Sequence, residues 1–134
     1  MTFGTFDLFH PGHIYYLSEA EKLADQLIVI IARDVRVAHG KGRSSLHKEG
    51  ERLESVKTAF PTASVILGHE SDIFTPIREH HPDILAFGYD QYVPEEKIRE
   101  LFPAIEIVRV GGYETEKWKS SILRGQDSKP KNTD

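Results

Sequence analysis

Two rhythms of apolar and polar residues alternate along the chain. Short runs such as "QLIVIIA" (26–32), "ASVILG" (63–68) and "DILAFG" (83–88) are almost continuously apolar, and "AIEIVRV" (104–110) alternates with period two. These runs predict strands, and the continuous ones suit central parallel strands covered on both faces. Between them, Ile14, Leu17, Ala20, Leu23 and Ala24 recur at helical spacing, as do Leu53, Val56, Ala59 and Phe60. Two further helices are predicted, over 72–81 with Asp72 as N-cap and over 94–102 with Pro94 in the first turn. Only Met1-Thr2-Phe3 precede Gly4, so the first strand is unusually short or the natural chain begins further upstream. Strand and helix in turn predict one α/β domain, a Rossmann-like open parallel sheet with helices on both faces. In such a sheet ligands bind beyond the carboxyl ends of the strands.

Composition narrows the chemistry. A chain of 134 residues without cysteine has no disulfide, no Cys-ligated zinc and no thiol nucleophile. Its net charge of −4 argues against nucleic acid as a partner. No apolar run approaches the roughly 20 residues that span a bilayer, and no secretory signal opens the chain, so no membrane partner and a cytoplasmic location are expected. The stretch "GQDSKPKNTD" (125–134) has no apolar residue to anchor it and reads as a disordered tail, leaving 1–124 as the folded domain.

The densest candidate chemistry is "GTFDLFHPGH" (4–13). Gly4 to His10 read as the loop after the first strand, and Pro11 to His13 as the start of the first helix. Backbone N–H groups and the positive helix end make that junction an anion site. His10 and His13, at i and i+3, can reach one point in space, and Gly12 lets a ligand approach the backbone. Gly4, Thr5 and Phe6 can approach it from the other side. Two other readings of the pair stay open: purely structural histidines, or a metal site with Asp7 as third ligand.

This decapeptide resembles the signature of the nucleotidyltransferase family that includes cytidylyltransferases, pantetheine-phosphate and nicotinamide-mononucleotide adenylyltransferases and archaeal-type FAD synthases. "ARD" (32–34), "GKGR" (40–43), "ERL" (51–53), "GYDQ" (88–91) and "KSS" (119–121) stand where that family has its further motifs, so the resemblance covers residues 3 to 124. It implies transfer of a nucleoside monophosphate from a nucleoside triphosphate to a small phosphorylated acceptor, with release of pyrophosphate. It also implies that His10 and His13 contact the triphosphate, with His13 stabilising the transition state at the α-phosphate. Thr5 and Phe6 would give backbone contacts, while Asp7 would brace the loop, orient a histidine or simply cap a turn. Lys41 would neutralise phosphate charge and Arg43 would bind the acceptor's phosphate, unless the segment is merely a solvated basic loop. Arg52 either joins this chemistry or pairs with a nearby carboxylate.

Tyr89 and Asp90 fall at the carboxyl end of a strand, where Asp90 can accept from ribose or base, or serve as a turn residue. Ser120 and Ser121 open a short helix and offer a second anion site for the β- and γ-phosphates, or an ordinary N-cap. Mg²⁺ would arrive with the triphosphate and no resident metal is expected. A homodimer is implied by the resemblance alone. The segment "GGYETEKWKSSILRG" departs from the "RTEGISTT"-like pattern of glycerol-3-phosphate cytidylyltransferases, and the "ARD", "GKGR" and "GYDQ" set looks more like the archaeal-type FAD synthases, which transfer AMP from ATP to FMN. A phospho-alcohol cytidylyltransferase, a nucleotide-binding module without turnover and a metal-dependent hydrolase are the competing readings.

Overall fold

The computed structural model describes residues 1–41 and 47–111, without the side chains of 39–41. Five parallel strands, β1 (Thr2–Gly4), β2 (Ile28–Ile31), β3 (Ser64–Leu67), β4 (Ile84–Gly88) and β5 (Glu106–Val110), form one sheet in the order β3-β2-β1-β4-β5. Between them run α1 (Pro11–Glu21), α2 (Asp34–Lys41), α3 (Glu49–Ala59), α4 (Phe74–His80) and α5 (Glu95–Leu101). The fold class is the one the sequence predicts. The strand order reverses direction between β1 and β4, which creates a topological switch point at their carboxyl ends.

Period-two alternation divides the strand side chains between two cores. Val29 and Ile31 of β2 and Ala86 of β4 pack with Leu17 and Ala20 of α1 and Val56 of α3. Ile30, Leu85 and Phe87 face the other way, against Ile77 of α4 and Ile98 of α5. Each of the buried Val, Leu, Ile and Phe side chains among them contributes roughly 1.5–3 kcal/mol of transfer free energy. Burial of both faces explains why the central runs are continuously apolar.

Several details differ from the sequence reading. Gly4 closes β1, paired with Ile31, instead of opening the loop. Helix α2 was not anticipated, and its first half shows why: Val35 and Val37 are spaced as in a strand, and Val35 is left exposed while Val37 is buried. Gly40 and Lys41 of "GKGR" are therefore the last turn of a helix, not part of a loop. Helix α4 starts at Phe74, yet Asp72 still acts as its cap, accepting from the Phe74 N–H at 2.9 Å and from the Thr75 hydroxyl at 2.9 Å. Pro94 is the residue before α5, not its first turn. Among the described residues no helix is long and apolar enough to cross a membrane. Residues 125–134 lie outside the described residues.

Candidate active site

At the switch point the turn after β1, the start of α1 and the turn after β4 enclose a cleft of about 970 Å³. One wall carries Gly4, Thr5, Phe6, Asp7, His10, Gly12 and His13, and the other carries Tyr89 and Asp90. Nine of the sequence-nominated residues thus share one cavity. The Lys41 side chain, Arg43, Ser120 and Ser121 lie outside the described residues.

The histidines are held by their own helix start. His10 is the N-cap of α1, with its Nδ1 accepting from the Gly12 N–H at 3.1 Å, while its backbone N–H donates to Nδ1 of His13 at 3.3 Å. The two imidazoles stack with centroids 3.7 Å apart. Because Nδ1 is the acceptor in both neutral rings, the proton resides on Nε2, and each ring becomes an Nε2–H donor. The sequence reading expected free backbone N–H groups at this helix end. Those of Gly12 and His13 are instead taken by the His10 side chain and the His10 carbonyl, so the donors offered there are the imidazoles.

An aromatic bed fixes His13. Its ring stacks on Phe9 at 5.6 Å and meets the edge of Phe6 at 5.3 Å. Phe6 is buried and has φ of 55°, a left-handed conformation costly for a residue with a Cβ. That backbone folds its ring back over Gly4, where a Cβ would lie 2.6 Å from Phe6 Cε2. Glycine is thereby required at the end of β1. Leu8, with φ of 49°, continues the sharp turn. Lining the cleft, the half-buried Tyr16 donates its hydroxyl to the Ala86 carbonyl, and desolvation pushes its phenol well above the usual range.

Arg52 proves to be a scaffold residue. Its side chain is fully buried and donates to the Thr5 carbonyl at 2.8 Å, the His47 carbonyl at 3.1 Å and Asp34 Oδ1 at 2.7 Å. Desolvation works to raise the Asp34 carboxyl, but hydrogen bonds from Arg52 and from the Glu49 N–H outweigh it and hold the group below its ordinary value. Arg33 completes the cluster by donating to the Gly68 carbonyl and pairing with Glu49. "ARD" and "ERL" therefore lock α2, α3 and the turn after β1 together. Asp7 adds another tie by accepting the His47 N–H at 3.0 Å.

Two residues that support the opposite wall were not singled out from sequence. Gln91 accepts from the Gly88 N–H and donates to the Phe3 carbonyl, both at 3.0 Å. Arg109 of β5 donates to the carbonyls of Gly88 and Gln91 and is anchored by Glu95, whose carboxyl its hydrogen bonds hold below the usual range. Gln91 was visible inside "GYDQ", but nothing in the pattern of β5 marks Arg109. Among the described residues no group of three or more His, Asp or Glu side chains is placed to hold a metal ion.

With this geometry in place, comparison with known proteins is specific. The sequence model of the cytidylyltransferase-like family matches residues 1–126. The FAD synthase of Methanolacinia petrolearia is 46% identical over 122 residues, covering 88% of this chain and 81% of its own length. That of Picrophilus torridus is 42% identical over 128 residues, covering 92% and 91%. Among solved structures, a lipopolysaccharide core biosynthesis protein from Thermoplasma volcanium matches with a TM-score of 0.75 at 37% identity, over 84% of this chain and 95% of that one.

Proposed function

The chain belongs to the cytidylyltransferase-like family and is a nucleotidyltransferase, and from that premise we propose that it transfers AMP from ATP to FMN, forming FAD and releasing pyrophosphate. The observation that carries this reading is the convergence of both imidazoles, the Thr5–Phe6 turn and Tyr89–Asp90 on one cleft, in a chain 46% identical to an FAD synthase over most of its length.

In this reaction a phosphate oxygen of FMN attacks the α-phosphorus of ATP, and the bond from that phosphorus to the bridging oxygen of the β-phosphate breaks. The nucleophile is already an anion, so catalysis rests on positioning and on stabilising spreading charge. Nε2–H of His13, fixed by Phe6, Phe9 and His10, is directed at the α-phosphate in this reading, and Nε2–H of His10 at the departing phosphates. Asp90 accepts from the ribose or the adenine. Lys41 neutralises phosphate charge, Arg43 binds the acceptor's phosphate, and Ser120 and Ser121 take the β- and γ-phosphates. Mg²⁺ would arrive with the triphosphate and neutralise part of its charge, and Asp7 and Asp90, the carboxylates lining the cleft, would hold it or its waters. The same reading carries a cytoplasmic enzyme acting as a homodimer.

The test is a pyrophosphate-release screen of ATP and CTP against FMN, glycerol 3-phosphate, phosphocholine and phosphoethanolamine. Turnover with ATP and FMN is expected to exceed every other pairing. A preference for CTP with a phospho-alcohol would replace the substrate assignment while leaving the site intact, and nucleotide binding without pyrophosphate release would favour the non-catalytic module.

A further inference from the structure

Strands β1 and β4 stop pairing abruptly. They share the register Thr2↔Ala86, with the Ala86 N–H donating to the Met1 carbonyl at 3.0 Å. In a parallel ladder the next rung along the same edge joins residues two further on. Here it would link the Gly88 N–H to the Phe3 carbonyl and the Thr5 N–H to the Gly88 carbonyl. Neither bond forms. The Gly88 N–H instead donates to Oε1 of Gln91, whose Nε2 donates to the Phe3 carbonyl, each at 3.0 Å. The Gly88 carbonyl is taken by Nη1 of Arg109 at 2.7 Å. The same Arg109 nitrogen holds the Gln91 carbonyl at 2.6 Å, which fixes the backbone from which the amide projects.

We infer that Gln91 is a positioning residue: its side-chain amide is inserted into the sheet as a substitute rung that spreads β1 from β4 at the mouth of the cleft and leaves the Thr5 N–H as a donor for the nucleotide's phosphate. An amide presents an acceptor and a donor on opposite sides, as a peptide group does, so it bridges the two strands without leaving either ladder group unsatisfied. One direct hydrogen bond of about 3 Å becomes two bonds plus the width of the amide, so the gap between strands opens by several ångströms. Thr5 lines that gap, and no described residue accepts a hydrogen bond from its N–H. The Thr5 carbonyl is pinned by buried Arg52, which fixes the orientation of the turn from below. The role assigned to the Thr5 N–H rests on the nucleotide reading of the cleft, whereas the substitute rung does not.

The experiment therefore reads both. Amide hydrogen exchange in the full chain without nucleotide is expected to show Gly88 protected in the wild type and at least tenfold less protected in Gln91→Met, which keeps the length and removes both polar groups. Unchanged Gly88 protection would overturn the substitute rung whatever the substrate. ATP titration and steady-state transfer then test the consequence: Gln91→Met is expected to raise Kd and KM for ATP at least tenfold while kcat at saturating ATP falls less than threefold. Gln91→Glu supplies a readout that a merely structural role would not move. Its ionised carboxylate faces the Phe3 carbonyl without a donor, whereas its protonated form restores one. The KM for ATP, relative to wild type, should recover as the pH falls from 8 to 5.5, and a ratio independent of pH would overturn the donor role of the amide. Lost Gly88 protection with unchanged ATP affinity would retain the rung and refute its link to nucleotide binding.

Discussion

Replacing Arg52 by methionine removes the group that joins three segments around the turn after β1, and the structure sets the scale of the damage. The side chain is fully buried, so methionine fills most of its volume and the loss is largely polar. Two carbonyls, those of Thr5 and His47, lose their Arg52 donors, and Asp34 loses its Arg52 partner while keeping the Glu49 N–H. An unsatisfied buried acceptor costs roughly 1–3 kcal/mol. Asp34, 36% exposed, can be rehydrated and adds about 1 kcal/mol at most. The terms add to about 2–7 kcal/mol, and the roughly 3–5 kcal/mol expected when one partner of a buried pair is removed lies at the centre of that range. At a urea dependence of about 2 kcal/mol/M, the unfolding midpoint should fall by about 2 M. Arg52→Lys keeps one charge but cannot reach three acceptors in different directions, so its midpoint should lie between the two. A midpoint for Arg52→Met within about 0.5 M of wild type would refute the reasoning.

Other perturbations reach different parts of the account. Gly4→Ala places a Cβ 2.6 Å from Cε2 of the buried Phe6 ring, so it should destabilise by about 1–3 kcal/mol in urea unfolding and disturb His13; unaltered stability would show that the ring can yield. His13→Ala should lower kcat by about 10²–10³-fold with the thermal midpoint little changed, as for loss of one donor aimed at developing charge; unfolding without a rate defect in the folded fraction would make the histidine structural. The carboxyls of Asp72, held chiefly by the Phe74 N–H, and Glu95, held chiefly by Arg109, lie below their ordinary values, as does Asp34. Depressed carboxyls contribute stability that is complete above the unfolded value of about 4 and is lost as pH falls through the folded values. Through these groups the thermal midpoint should drop below about pH 4, with a smaller acid drop in Glu95→Gln; an identical acid profile in that variant would remove Glu95 from the explanation.

How much was legible in the sequence depended on whether a feature is local. The strands were visible because burial on both faces demands continuous apolar runs, although each predicted run overshot the strand by a residue or two where the chain turns away. The histidine pair was visible because a helix start brings i and i+3 together. Helix α2 was not, since only Val37 among its early apolar positions is buried, leaving no helical stripe to detect. Arg52 carried an ambiguity that only tertiary structure resolves: a charged residue in an amphipathic segment is ordinarily solvated, and its burial depends on partners at Thr5 and Asp34, 47 and 18 positions away, as well as on nearby His47. The same holds for Arg109, whose acceptors at Gly88 and Gln91 lie 21 and 18 positions away. The backbone donors expected at the start of α1 were claimed by His10, a competition between side chain and ligand that spacing cannot disclose.

The central claim is that one cleft at the β1–β4 switch point receives the triphosphate. A crystal structure of the full chain with Mg²⁺ and a non-hydrolysable ATP analogue tests it most directly. The expected result places the α-phosphate within hydrogen-bonding distance of Nε2 of His13, with the nucleoside against Tyr89 and Asp90. A nucleotide bound elsewhere, or imidazoles turned away from its phosphates, would contradict the account.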